Sequence, residues 1–305
     1  MKRTSLSLAL SALVVPATMA LAGGIGGGGI GGGGADGGIG GDPGAEPDSI
    51  TLTGIVRDFL GHNDGEVGGV YAHPDFQVKP SSGYGHYVGN IATQLDEDFK
   101  PVFVGGGHKV YRQWYDADNR PICYTLFNPD AGDIPGSLGP EDSSGISSAD
   151  SFAQWFRDVP GVNIGHELDI TFERGANGVY TFEDSTFFPI DNDLLGNVGR
   201  NHNFHFTFEL QTEFTYHEGT GQVFTFTGDD DVWVFIDGQM VIDIGGVHAA
   251  VSQTVELDRL DLVDGRTYPL SFFFAERHTT ESHFRIETTL ELVTVDLPTV
   301  SAQYD

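Results

Sequence analysis

The chain has 305 residues, enough for one large core or two ordinary ones, and carries 44 acidic against 15 basic residues, a formal charge of −29. That sign argues against nucleic acid and anionic membrane surfaces as partners, because both need a basic face. It suits divalent cations or a solvated exterior.

Residues 1–22 have the form of a secretory signal: Lys2 and Arg3, an apolar core at 6–15, then the small-residue site Ala20-Leu21-Ala22. The apolar run is too short to cross a bilayer. No later segment reaches the ~20 apolar residues a spanning helix requires. The expectation is an exported chain, secreted or at the cell surface, with no integral membrane span. Residues 23–48 are almost all Gly and read as a flexible tether, since such a segment buries little and loses much entropy on ordering. The single cysteine, Cys123, forms no internal disulfide and sits in an apolar stretch, as a buried structural thiol would.

From residue 49 to 296 the pattern has period two, with a tail at 297–305. Residues 51–59 start a strand, 60–98 are loop-rich, 109–115 form another strand, and 128–150 read as a long acidic loop. Ser148 or Asp150 then caps a short helical turn carrying Phe152, Trp155 and Phe156, stopped before Pro160. Asp191, Asn192 and Asp193 look like the opening of an EF-hand loop. Leu195 and His202 occupy positions that need oxygen ligands, so the segment reads as a turn. Phe204, Phe206, Phe208 and Leu210 alternate with His205, Thr207 and Glu209, and similar runs follow at 268–274 and 284–292. Short alternating strands joined by Gly and Asp turns describe an all-β fold, an antiparallel two-sheet β-sandwich with long loops and one short helix.

The organising stretch is 228–243. Val232, Val234 and Ile236 alternate with Trp233 and Phe235, so this strand has no face fit for water. Asp237-Gly238 supplies a two-residue hairpin turn, and 240–244 is the return strand. Asp229, Asp230 and Asp231 stand at the mouth of that strand, where three like charges repel unless something cationic neutralises them. Calcium, which takes six to eight oxygens, is the expected cation and the three aspartates its ligands.

The segments GDDDVWVFIDGQMVIDIGGVHAAVSQTVELDRL and TYPLSFFFAERHTTESHFRIETTLEL resemble the fibro-slime domain of secreted bacterial surface proteins, a family similar to the protective-antigen-type (PA-fourteen) β-sandwich of adhesins and toxins. The resemblance covers 145–293 most specifically. It implies a binding role, with Asp229 and Asp230 matching the aspartate pair that holds calcium in sugar-binding adhesins of that type. Asp231 falls where many relatives have Gly. His248 and the Glu276, Arg277, His278 cluster lie in loops that could reach the aspartates and are taken as ligand-binding candidates. Familiar catalytic signatures are missing: there is no HExxH, GxSxG, phosphate-cradling loop or dinucleotide fingerprint. The expectation is therefore a calcium-dependent carbohydrate-binding or adhesion protein, not an enzyme, whose partner is an extracellular glycan or matrix component. The alternative is a matrix protein that self-associates; a polysaccharide-degrading enzyme stands third.

Overall fold

The computed structural model describes residues 46–295. The signal at 1–22, all but the last residues of the tether, and the tail at 297–305 lie outside the described residues.

Nearly everything else of regular structure is strand. The principal strands are β1 (Ser49–Asp58), β2 (Ile164–Arg174), β3 (Tyr180–Asp184), β4 (Phe206–Thr215), β5 (Val223–Gly228), β6 (Asp231–Ile236), β7 (Gln239–Ile244), β8 (Val251–Glu256), β9 (Thr267–Glu276), β10 (Phe284–Thr288) and β11 (Val293–Thr294). They pair antiparallel in the order β7-β6-β9-β4-β1-β2-β3-β10-β5-β8, with β11 beside β4. The two layers of the sandwich are thus halves of one continuous sheet. Inward residues of both halves, among them Leu52, Phe172, Phe208, Phe226, Val234, Phe272 and Phe284, fill a single core.

Strand β6 is apolar on both sides because it separates two cores. Val232, Val234 and Ile236 face the sandwich interior, while Trp233 and Phe235 enter a second cluster with Phe59, Phe76, Phe152, Trp155, Phe156 and Phe273. That second core lies under an overlay built from residues 59–163. Its helix, α1 (Ala149–Phe152), is a single turn closed by a capping box between Ser148 and Ser151. Phe152, Trp155 and Phe156 are all buried there. The acidic segment 128–150 is more than a loop, since Ser137–Glu141 pairs with the strand His108–Arg112. Its Gly and Pro content masks the strand. Cys123 is buried in the same cluster, and burial pushes its thiol up to about 12.

The overlay also explains the alternation in β4. His205, Thr207 and Glu209 face away from the sandwich core yet are buried, because the overlay covers them. Thr207 Oγ1 donates to the Trp155 carbonyl at 2.7 Å, and Glu209 is paired with Arg57 (3.1 Å) and Lys100. Buried polar groups of this kind persist because each is satisfied.

The β6–β7 hairpin turns at Asp237 and Gly238, both at positive φ (50° and 74°), as a two-residue primed turn requires. The outer edge of β7 is occupied along its length. Met240 N–H donates to Thr93 O (2.9 Å), the Gln253 side-chain amide accepts from Asp243 N–H (2.9 Å) and donates to Asp243 O (3.0 Å), and Gly245 exchanges backbone hydrogen bonds with Tyr87.

Trp233 packs into the overlay core, with its indole N–H on Asp243 Oδ1 at 3.0 Å. Trp233→Ala is expected to cost ~3–5 kcal/mol in urea unfolding, the range for truncating a fully buried large aromatic.

Candidate functional site

Two links run side by side at one end of the sandwich. Residues 229–230 carry the chain from β5 to β6, and 277–283 carry it from β9 to β10; each crosses between the layers. Register sets them against one another: Gly228 opposes Phe284 and Asp231 opposes Ala275. Gly228 is required at this crossing, because a Cβ there would lie 2.1 Å from the His283 carbonyl oxygen. The Asp229–Asp230 peptide bond is cis.

The three aspartates have three different surroundings. Asp229 accepts from the His283 backbone N–H at 2.7 Å, and its other oxygen lies 2.8 Å from His283 Nδ1. Burial raises its carboxyl above the ordinary range, with His283 pulling against it. Asp230 accepts only from backbone, His248 N–H at 3.2 Å and Arg277 N–H at 3.4 Å. Burial, followed by the like charge of Asp231, pushes its carboxyl well above the ordinary range. Asp231 turns inward. It accepts from Gly246 N–H at 2.6 Å and from Arg277 through both Nε and Nη2, the latter at 3.2 Å. Gly246 makes that approach at φ 97°, where a Cβ would meet Tyr87 at 2.5 Å.

Two expectations change here. Arg277, expected among the ligand-contacting residues, is wholly buried, with its guanidinium 5.4 Å from the Trp155 ring centroid and Nη2 on the Ser144 carbonyl. Asp231, expected as a metal ligand, is the buried partner of that guanidinium and does not line the cleft beside it. Burial still holds the Asp231 carboxyl above its ordinary value against the pull of Arg277. Arg277 remains charged: burial pulls its pKa down, and Asp231, with Asp230 and Asp75, together more than offset it. The cation that the aspartate run demands is thus supplied, for one of the three, by the protein itself.

Four of the five remaining expected residues converge, and Glu276 does not reach the cleft. Asp229, Asp230, His248 and His278 line an open cleft of about 450 Å³, together with Tyr84, Val247, Thr279 and Glu281. His248 is neutral, burial pushing its imidazole down to about 3. Glu276 lies wholly buried. One of its carboxylate oxygens accepts from His278 N–H at 3.3 Å and the other has no hydrogen-bond partner. Burial and then the charges of Asp230 and Asp229 push it well above the ordinary range. Asp229, Glu281 and His283 bring one ligand atom each within 4.8 Å of one another. Glu281, His283 and Tyr84 escaped the sequence reading. The first two carry a faint signal, a Glu-Ser-His alternation just past the Glu276–His278 cluster. Tyr84 carries none.

The EF-hand-like segment is a turn, as expected. Asp191 accepts from Asn203 N–H (2.7 Å) and lies 2.6 Å from His202 Nδ1, and Asp193 accepts from Leu194 N–H (2.8 Å). Asp58, buried at the end of β1, accepts from Leu195 N–H at 2.9 Å and so ties this turn to the sheet. Burial raises its carboxyl from 3.8 to about 7, hydrogen bonds pulling the other way.

Residues 175–304 match the PA14 domain family. Similar proteins include three from Dictyostelium discoideum. Protein psiQ is 42% identical over 167 residues (50% of this chain, 17% of that protein), protein psiD 44% over 153 residues (48% and 30%), and protein psiR 42% over 170 residues (50% and 17%). The match spans less than a third of each relative's length. The PA14 likeness agrees with the all-β fold. The bacterial setting expected from the fibro-slime resemblance gains no support, these relatives being from Dictyostelium. No helix among the described residues is long and apolar enough to cross a membrane.

Two outcomes follow from these surroundings. Arg277→Met strands a buried carboxylate and is expected to cost ~3–5 kcal/mol in urea unfolding, with part of the loss recovered when Asp231→Leu is added. Asp58 has a folded pKa above its unfolded one, so its contribution is fully present below pH 3.8 and is lost as pH rises through about 7. Asp58→Asn is therefore expected to match wild type near pH 4 and to exceed it by up to about 4 kcal/mol at pH 8, read from unfolding curves at both values.

Proposed function

We propose that the cleft is a calcium-assisted carbohydrate site and that the chain is an adhesion module working outside the cell. The observation that carries this reading is the state of Asp230. It is a carboxylate 4% exposed, at the floor of an open cleft, with no side-chain ion-pair partner among the described residues. Beside it stand Asp229 and the unpartnered oxygen of Glu276. Buried carboxylates crowded in this way are costly unless protonated or bound to a cation.

The donors fit the ion. Asp229, Glu281 and His283 bring one ligand atom each within 4.8 Å of one another and Asp230 lines the same cleft; the carboxylates are the hard ligands that calcium takes, and exposed Glu281 leaves the outer side open. Asp229 and Asp230 would hold the cation and Glu281 would complete its outer side, while the neutral His248 and His278 donate or accept hydrogen bonds at the rim. A bound calcium would offer open coordination positions to sugar hydroxyls. PA14 domains are known for carbohydrate binding and adhesion, which supports the ligand class. The site is read as a binding site, an open cleft lined by carboxylates, imidazoles and a tyrosine.

Calorimetry in calcium and in chelator tests the metal. Wild type is expected to gain about 2.7 kcal/mol at a hundredfold excess over Kd. Asp229→Asn with Asp230→Asn should abolish that gain while leaving a folded protein, because the change relieves repulsion and keeps side-chain shape. A wild type indifferent to calcium would sink the metal site and the sugar reading built on it.

A further inference from the structure

The carboxylates make the floor of the cleft, but a wall comes from elsewhere in the chain. Tyr84 belongs to the overlay, far upstream of residues 175–304, and lines the cleft with 47% of its surface exposed. An exposed tyrosine usually has freedom to swing. This one is held. Its hydroxyl lies 3.1 Å from His278 Nε2, and the His278 ring meets it edge to face, centroids 5.1 Å apart at 70°. His278 Nδ1 is 2.5 Å from the Thr279 carbonyl oxygen, which only a protonated nitrogen can approach as a donor. Nε2 is therefore the acceptor and the Tyr84 hydroxyl the donor. Gln77 Nε2 donates to Thr279 Oγ1 at 3.2 Å and lies 3.3 Å from the same imidazole nitrogen, whose single lone pair it shares with the tyrosine. Lys79 Nζ lies over the tyrosine ring, 5.1 Å from its centroid.

We propose that Tyr84 is the stacking wall of this site, receiving the C–H face of a pyranose whose hydroxyls point to Asp229 and Asp230. The inference rests on the carbohydrate reading above and adds the residue that selects for sugar shape. Pockets for small polar ligands pair a few placed polar groups with an aromatic surface, and a ring braced before the ligand arrives loses little entropy on binding. Charged floor and aromatic wall are supplied by different parts of the chain. His278 acts here as a positioning residue, setting the ring through its Nε2.

The test uses the full chain in calcium and ligand-observed NMR with three probes at millimolar concentration: methyl α-mannopyranoside, methyl β-galactopyranoside and methyl α-fucopyranoside. With the tightest of them, Tyr84→Ala should weaken sugar binding by about tenfold while leaving the calcium Kd unchanged. Tyr84→Phe keeps the ring and should lose less. Saturation of aromatic protons should reach the sugar ring protons in wild type and not in Tyr84→Ala. Sugar affinity within twofold of wild type in Tyr84→Ala would overturn the wall and leave the calcium–sugar reading standing. So would an equal loss of sugar and calcium affinity, which would make Tyr84 a support for the metal end. A wild type that binds calcium but none of the three glycosides would remove the sugar reading, and Tyr84's role with it.

Discussion

The constraint on which the rest depends is that β6 has no outside. One face of the strand fills the sandwich core and the other fills the core under the overlay, so neither layer can move without exposing large apolar side chains. The strand begins at Asp231. A carboxylate fixed to the first residue of so confined a strand cannot withdraw to water, and the fold meets that demand with an equally buried arginine from the adjoining strand end. The ion pair is thus a consequence of the packing. Its geometry holds the two crossing links in place.

Charge in the site is graded from inside to outside. Asp231 is fully matched by Arg277, Asp229 leans on His283, and Asp230 and Glu276 have only backbone donors and each other's company. The grading follows from register: β6 begins where β9 ends, which puts Asp231 beside Arg277, while β10 begins where β5 ends, which puts Asp229 beside His283. Of the two left unmatched, Asp230 lines the cleft and Glu276 is wholly buried.

Much of the fold was legible because burial on both faces writes an unmistakable pattern. Residues 232–236 announced a strand without a wet side, Asp237-Gly238 announced its turn, and the alternation at 204–210 announced β4. What the alternation could not say is that His205, Thr207 and Glu209 are covered too, since a polar face paired internally looks like one meant for water. The overlay was the opaque part. Its segments are short, irregular and rich in Gly, and they pack by contacts between residues far apart in sequence. The aspartate run was visible as chemistry, but its partition was not: Asp231 and Asp230 are neighbours in the chain and opposites in role, a difference set by which side of the crossing each faces. Glu281 and His283 lay a few residues beyond the cluster that drew notice. Tyr84 reaches the cleft only through the folding of the overlay.

The covered edge of β7 has a consequence for assembly. A sheet that ends in a bare strand offers a template to any chain able to add another, and like modules held close together would find each other by that route. Here Thr93, Gln253 and Tyr87 take up main-chain groups along that margin. A neighbouring copy therefore finds those main-chain groups already taken, and cannot extend the sheet through them.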